Sequence, residues 1–228
     1  MKTITLFGDS ILFGIIIKDG KYARNKDFDL RKVAKEYDLD LLNVSRMGRN
    51  SKEGISAIEE YLTVHSAPEY AVIEFGGNDA DHEWAEIAKN PAPRTPKIPL
   101  ENYIENLKEM ARILENAGSK VSFMNLFPVI SKPYFDWVTP TINAKENVLK
   151  FLGGTTETIL KVHTTYNESV EKLAQSLQKP LINIRKEILG KDDITPFISI
   201  DGVHPSPLGH EIIIKEMREF FKKIQKEN

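Results

Sequence analysis

The sequence contains no cysteine. This absence excludes disulfide bonds, thiolate metal sites and a cysteine nucleophile, and it is typical of proteins from a reducing compartment. The chain also lacks any apolar stretch of the ~20 residues that a membrane-spanning helix needs. Its N-terminus lacks the apolar segment and small-residue cleavage site of a secretory signal. We therefore expect a cytoplasmic protein without stable membrane insertion.

An excess of either charge is also missing. The formal net charge is −2, and lysine and arginine are scattered along the chain. Because a nucleic-acid-binding protein usually presents a concentrated basic face, nucleic acid is not an expected partner. The Gly-x-Gly-x-x-Gly pattern of a dinucleotide site is absent, as are internal repeats. A chain of 228 residues suits one domain, so we predict a single domain over residues 1–228. A homo-oligomer is left open.

Short apolar runs alternate with longer amphipathic stretches. This alternation is typical of a parallel sheet with helices on both faces, so we predict an α/β fold with a mainly parallel, five-stranded sheet. The predicted strands cover residues 3–7, 39–44, 71–75, 120–126 and 181–184. The predicted helices cover residues 30–37, 52–64, 100–117, 155–178 and 207–226.

Two segments do not fit this alternation. Residues 81–99 contain four prolines, which exclude a continuous helix or an interior strand. Residues 131–154 contain several aromatic side chains and a Gly-Gly pair. Both segments follow predicted strand ends, where open α/β sheets form their ligand crevices. We predict that they are insertions that form substrate-facing walls or a small cap; simple surface excursions are the alternative.

The first predicted strand leads directly into Phe7-Gly8-Asp9-Ser10. A serine at the start of the following helix lies among free backbone N–H groups, which favour a developing negative charge. Serine and aspartate are also common helix caps, and Gly-Asp-Ser is common in turns. The motif alone therefore does not distinguish a nucleophile from a cap.

The second motif, Asp201-Gly202-Val203-His204, precedes the last predicted helix. A carboxylate three residues before a histidine can accept a hydrogen bond from one ring nitrogen and leave the other for a serine hydroxyl. Ser10, His204 and Asp201 thus supply a nucleophile, a base and a group that orients the base.

Acyl transfer also requires donors for an oxyanion, and two candidates follow the next strands. Gly48 follows the second predicted strand and offers a backbone N–H, while Asn78 follows the third and offers a side-chain amide. Either glycine-containing segment is also explained by a turn that needs positive φ. The order of all four motifs, each at a strand end or in the final turn, favours the catalytic interpretation.

These four segments resemble the blocks of the SGNH (GDSL-type) hydrolases. Residues 7–10 resemble the first block, residues 43–51 with Gly48 the second, residues 76–79 the third and residues 201–204 the last. The resemblance implies a three-layer α/β/α, flavodoxin-like fold and a Ser-His-Asp esterase, acetylesterase or lysophospholipase-like mechanism without metal. We expect no cofactor.

The resemblance also assigns roles by position. Ser10 is the expected nucleophile, His204 the base and Asp201 its orienting carboxylate. The oxyanion hole is expected from the Ser10 N–H, the Gly48 N–H and the Asn78 side chain. The expected partner is a small-molecule ester. A small acyl group is preferred because no long apolar channel is visible in the sequence.

Four further side chains are candidates for substrate binding: Asp9, Arg46, His82 and Trp137. Asp9 and Arg46 belong to the first two blocks, His82 follows the third, and Trp137 lies in the second irregular segment. A solvated loop explains Arg46 equally simply, and an exposed surface position explains His82.

Two other functions remain open at this point. The run from Asn78 to His82 contains oxygen and nitrogen donors, which is compatible with a metal-dependent phosphoesterase. A second histidine-rich cluster, which a two-metal centre usually needs, is missing from the sequence. A non-catalytic flavodoxin-like binding protein is the other alternative, although it leaves Asp201 and His204 without a role.

Overall fold

The apolar runs form the strands of one sheet in a computed structural model that describes residues 1–140 and 142–227. Five strands pair in parallel in the order β4-β1-β5-β6-β7, and two more form a separate antiparallel hairpin. In chain order the strands are β1 (Lys2–Gly8), β2 (Ile15–Lys18), β3 (Lys21–Arg24), β4 (Leu39–Asn43), β5 (Tyr70–Glu74), β6 (Lys120–Met124) and β7 (Leu181–Ile182).

Helices connect the strands and cover both faces of the sheet. In chain order they are α1 (Ser10–Phe13), α2 (Leu30–Lys35), α3 (Ser51–Val64), α4 (Gly77–Ala80), α5 (Trp84–Lys89), α6 (Leu100–Asn116), α7 (Ser131–Val138), α8 (Ile142–Phe151), α9 (Glu157–Ser176), α10 (Ile184–Leu189) and α11 (Pro207–Lys226). A 3-10 turn covers Thr195–Phe197.

Alternating side chains of each strand enter two different cores. In β1, Leu6 belongs to the core beneath α2, α10 and α11, and Phe7 belongs to the core beneath α3, α6 and α9. This alternation follows from the two-residue period of a strand, with both faces of the parallel sheet buried. The predicted three-layer α/β/α fold with a five-stranded sheet is therefore confirmed.

The structure adds elements that the periodicity did not predict. The β2–β3 hairpin turns at Asp19 and Gly20, which both have positive φ (52° and 69°). An Asp-Gly pair between two short strands is a typical signal for such a turn. The signal was present in the sequence, but the flanking strands have only four residues each.

The two irregular segments contain three short helices, α5, α7 and α8. The four prolines of residues 81–99 lie beyond the end of α5, so the segment has no continuous helix or interior strand, as expected. With the start of α9, these helices share a small separate core, formed by Ile87, Phe135, Val148, Leu152 and Ile159. Across the described residues, no helix has the length and apolar character needed to cross a bilayer.

Candidate active site

Ser10 is the first residue of α1, immediately after the carboxyl end of β1. Asp9 caps this short helix, and its Oδ1 accepts a hydrogen bond from the Ile11 N–H at 2.9 Å. Gly8 permits the close approach of the two central strands: a Cβ at this position would lie 2.8 Å from Glu74 Oε2 and 3.0 Å from the Glu74 carbonyl oxygen. Backbone geometry thus holds the serine at the carboxyl end of the central strand β1.

Asp201 and His204 lie in a tight turn before α11. Asp201 Oδ1 accepts from the backbone N–H groups of Val203 and His204, both at 3.1 Å. The other oxygen, Oδ2, lies 2.6 Å from His204 Nδ1. Gly202, at φ +76°, is required here because a Cβ would lie 2.6 Å from the Ile130 carbonyl oxygen. The carboxylate is therefore oriented by three hydrogen bonds.

The turn brings His204 to the serine. His204 Nε2 lies 2.9 Å from Ser10 Oγ, and Ser10, Asp201 and His204 are all buried. A carboxylate only accepts hydrogen bonds, so the contact with Asp201 assigns the imidazole proton to Nδ1. Nε2 is then an acceptor for the Ser10 hydroxyl, which is the arrangement needed to remove its proton.

Gly48 and Asn78 lie on the wall of the same space. Together with Ser10, Asp201 and His204 they line a cavity of about 150 Å³, called here the catalytic cavity. Gly48 lies in the loop between β4 and α3 with φ +79°. The side-chain amide of Asn78 donates to Asp9 Oδ2 at 3.1 Å and to the Arg49 carbonyl oxygen at 3.0 Å.

A family model described as GDSL-like lipase/acylhydrolase matches residues 4–217 of the chain. The chain belongs to this family. The resemblance drawn from the four sequence blocks is thereby confirmed, and the GDSL-family protein is a serine hydrolase that acts on ester bonds.

Individual relatives agree with this assignment. The GDSL esterase/lipase WDL1 of Oryza sativa subsp. japonica is 24% identical over 225 residues, which cover 96% of this chain and 77% of the relative. A lipase/acylhydrolase structure from Enterococcus faecalis has a TM-score of 0.66 at 20% identity and covers 98% of this chain and 96% of its own. The psychrotrophic esterase EstA of Pseudoalteromonas sp., in a structure inhibited by monoethylphosphonate, has a TM-score of 0.62 at 17% identity, with 98% of both chains covered. At these identities the structural likeness establishes the fold.

Three buried carboxyl groups lie beneath the site of this GDSL hydrolase. Burial raises the pKa of both Asp9 and Asp79 to about 6. Burial, followed by the charge of Asp9, raises the pKa of Glu74 well above its usual value. Glu74 therefore retains its proton to higher pH than a solvent-exposed glutamate. Asp79 accepts hydrogen bonds from the N–H and the hydroxyl of Ser51, which ties α4 to the start of α3.

The four candidate substrate-binding residues have different surroundings. Asp9 lines the catalytic cavity, but its carboxylate is already bonded to the Ile11 N–H and to Asn78. Arg46 is exposed. Trp137 donates from Nε1 to Tyr22 Oη at 3.0 Å. The structure thus brings Asp9 to the catalytic cavity and connects Trp137 to it through Tyr22.

His82 lines a second, larger cavity of about 510 Å³, called here the lateral cavity. Its ring is buried and packs against Trp84 and Phe151, with ring centroids 5.2 and 5.1 Å away. The alternative that His82 is simply an exposed surface residue is therefore wrong. The reason is that Trp84 of α5 and Phe151 of α8 cover the His82 ring.

Sequence reasoning missed two aromatic residues that line the catalytic cavity, Tyr22 and His163. The ring of Tyr22, on β3, packs edge-on against His204 at 5.4 Å. His163 is buried on α9, and its Nδ1 accepts from Arg185 Nη1 at 3.4 Å. Burial and the Arg185 charge lower the pKa of His163 to about 3. The Asp-Gly turn was a signal for the Tyr22 hairpin, but a single histidine in a helix carries no comparable signal.

The side chains of residues 78–82 do not converge on a common point. Asp79 is bonded to Ser51, while Asp81 pairs with Lys97 at 2.8 Å and accepts from Tyr134 and Trp84. Within residues 1–140 and 142–227, no three histidine, cysteine, aspartate or glutamate side chains are grouped as metal ligands. The geometry of this run therefore does not favour a phosphoesterase metal centre, and family membership does not favour a non-catalytic binding protein.

Proposed function

We propose that the GDSL hydrolase cleaves small-molecule carboxylic esters through an acyl-enzyme on Ser10. The observation that carries this proposal is the chain of hydrogen bonds from Asp201 through His204 to Ser10 at the wall of the catalytic cavity, 2.6 and 2.9 Å long. Buried and continuous, this arrangement has the parts needed to make a neutral hydroxyl nucleophilic.

In the first half of the reaction, Ser10 Oγ attacks the ester carbonyl carbon while His204 Nε2 takes the hydroxyl proton. The tetrahedral intermediate then collapses: the bond to the leaving oxygen breaks, and His204 returns the proton to the departing alcohol. Asp201 stabilises the imidazolium through Nδ1. In the second half, water gives a proton to His204 and attacks the acyl-enzyme, and Ser10 leaves with that proton.

The N–H groups of Ser10 and Gly48 and the Asn78 amide are the proposed donors to the oxyanion. Asn78 already donates to Asp9 and to the Arg49 carbonyl oxygen. Its contribution therefore requires one of these bonds to be exchanged for a bond to the developing oxyanion. Because a negative oxyanion is a stronger acceptor than a neutral carbonyl oxygen, the exchange with Arg49 is favourable.

The decisive experiment measures p-nitrophenyl acetate hydrolysis by the wild type and by Ser10→Ala, each with and without EDTA. We expect the variant to lose activity by about 10⁴-fold or more, as in other enzymes that lose a triad nucleophile. EDTA should leave the wild-type rate unchanged. A fluorophosphonate probe should label the wild type and not the variant.

Ser176→Ala is the matched control, because Ser176 lies exposed near the end of α9. It should keep the wild-type rate and the fluorophosphonate labelling. Full activity in folded Ser10→Ala would contradict the mechanism. If that activity also disappeared with EDTA, the chemistry would move to residues 78–82.

A further inference from the structure

The lateral cavity is a partly open, largely apolar space of about 510 Å³. Its walls come from α5, the proline-containing loop behind it, α8 and α9. Aromatic and aliphatic side chains make up most of the surface, including Trp84, Tyr134, Phe151, Leu152, Ile159 and Val162. Pockets of this size and character are typical of sites that bind the apolar part of a small molecule.

Charge is kept out of the interior of this cavity. Asp81 is paired with Lys97 at 2.8 Å, and the cationic residues of the lining, Arg94 and Lys150, are exposed at its rim. His82 and His163 are buried, and burial lowers the pKa of both rings. Both imidazoles are therefore neutral near pH 7, so the inner wall presents no net charge to a ligand.

The lateral cavity adjoins the catalytic cavity. Gly77, Asp81, Val129, Tyr134, His163 and Val203 line both spaces. Among the shared residues, Gly77 immediately precedes Asn78 and Val203 immediately precedes His204, whereas Ser10, Tyr22 and Gly48 line only the catalytic cavity. A group entering the lateral cavity thus leaves the reacting centre between Gly77 and Val203 and does not pass Tyr22 or Gly48.

The geometry of acyl transfer indicates which half of the ester takes this direction. His204 must reach the leaving oxygen to protonate it, so the alcohol lies on the side of His204 and Tyr22, which pack against each other. The carbonyl oxygen faces the donors. The remaining substituent of the carbonyl carbon is the acyl chain, and it extends away from His204.

We propose that the lateral cavity binds the acyl chain and makes the enzyme selective for medium-length apolar acyl groups. This inference rests on the proposed function. A methylene group fills about as much space as a water molecule, ~30 Å³, so an octanoyl chain of about 240 Å³ fits with room to spare. This proposal differs from the sequence-based preference for a small acyl group, and the ester series below decides between them.

The first test is a series of p-nitrophenyl esters from acetate through butyrate, hexanoate, octanoate, laurate and palmitate to stearate, the one member whose chain volume exceeds that of the cavity at ~30 Å³ per carbon. Each fully buried methylene is worth about fourfold in kcat/KM. Even partial burial predicts a rise above about tenfold from acetate to octanoate, followed by a fall once the chain exceeds the cavity. Alkyl acetates with lengthening alcohols serve as the second series and should show no comparable rise.

Two substitutions change the cavity itself. Val162→Trp places an indole in the lining and should lower the ratio of octanoate to acetate kcat/KM at least fivefold, roughly what is expected when one or two methylenes lose their contacts. Phe151→Leu replaces a lining side chain with a smaller one and so enlarges the cavity. The acyl chain length with the highest kcat/KM should therefore increase. Lys161→Trp is the matched control: it adds the same side chain to an exposed neighbouring position of α9 and should keep the wild-type profile.

The outcomes separate this inference from the proposed function. If the wild type hydrolyses acetate and octanoate esters equally well through Ser10, the acyl cavity is wrong while the proposed function stands. A rise with alcohol length instead of acyl length would also overturn the acyl assignment. If Val162→Trp does not fold, as judged by circular dichroism, Phe151→Leu and the wild-type series decide the matter. Absence of Ser10-dependent hydrolysis of every ester would overturn the proposed function and this inference with it.

Discussion

Two regions of the molecule build the active site in different ways. The first, the catalytic floor, comprises the strand-end loops with Ser10, Gly48 and Asn78 together with the turn from Asp201 to His204. The second, the helical wall, comprises α5, α7 and α8. The floor is fixed mainly by backbone contacts, whereas the wall is fixed by packing of side chains around its own small core.

The floor leaves little freedom for substitution. A Cβ at Gly76, which has φ +140°, would lie 2.8 Å from Tyr103 Oη and from the Leu126 side chain. Tyr103 is itself buried and donates to the Phe75 carbonyl oxygen at 2.9 Å. Such contacts fix the backbone that presents Asn78. Few other residues can therefore replace those at these positions.

The wall depends on contacts that many residue combinations can supply. One of its aromatic side chains, Trp84, donates hydrogen bonds from Nε1 to Asp81 at 2.6 Å and to Tyr134 Oη at 3.0 Å. Volume-conserving changes in such a core usually cost little stability. If the proposed function holds, the difference teaches that the floor encodes the reaction and the wall the choice of acyl group.

After the loss of Ser10 itself, the largest expected effect also comes from the floor. Asn78→Ala removes a proposed oxyanion donor and should lower kcat by about 10² to 10³ for every ester, with an unchanged chain-length profile. Steady-state kinetics on acetate and octanoate esters measure both quantities. Asn106→Ala is the control, because it removes another hydrogen bond donated by a side-chain amide, the one to Ser51 Oγ at 2.8 Å. It should lower the free energy of unfolding but keep kcat within about threefold of the wild type. An equal loss in both variants would remove Asn78 from the oxyanion hole.

The same contrast explains what could be predicted from the sequence. Gly8, Gly48, Gly76 and Gly202 mark places where the chain needs positive φ or a close approach, so short motifs reveal them. The five parallel strands were equally readable, because each is a buried apolar run between turns. Their predicted bounds differ from the observed ones by at most two residues at either end.

The wall could not be predicted in this way. Helices α5, α7 and α8 have between 6 and 10 residues, too few for a clear helical period. Their shared core includes Ile87 and Val148, which lie far apart in the sequence and contribute to no local motif. His163 reaches the site from the middle of α9. The size of the lateral cavity is therefore a property of the folded chain alone.

The next effect is on stability and concerns the buried carboxyl group of Asp79. Its pKa rises from 3.8 to about 6 on folding because burial disfavours the charged form. The folded state thus binds its proton more tightly, and this contribution, present at low pH, is lost as the pH rises through about 6. Asp79→Asn keeps an acceptor for Ser51 without the charge. Relative to the wild type, its free energy of unfolding should increase by about 2 kcal/mol between about pH 4 and pH 7.

Urea unfolding at several pH values measures this difference. Asp136→Asn provides a control of opposite sign. Lys132 and Lys145 lower the pKa of Asp136, so its contribution is present at neutral pH and lost on acidification. A pH-independent difference between Asp79→Asn and the wild type would show that the pKa of Asp79 is the same in the folded and unfolded protein, so that burial does not raise it.

The smallest effect is expected where the wall meets the floor. Trp137, on α7, donates to Tyr22 Oη at 3.0 Å, and Tyr22 packs edge-on against His204. Trp137→Phe keeps an aromatic ring but removes the hydrogen bond, which is worth about 1 kcal/mol, so kcat/KM should fall less than about tenfold. Tyr22→Phe removes the same bond from its other end. The double variant should therefore lose no more kcat/KM than either single variant.

Because this contact lies on the leaving-group side, the acyl-chain profile should not change. A changed profile would mean that the β2–β3 hairpin also affects binding of the acyl chain. The separate roles of floor and wall would then not hold at Tyr22.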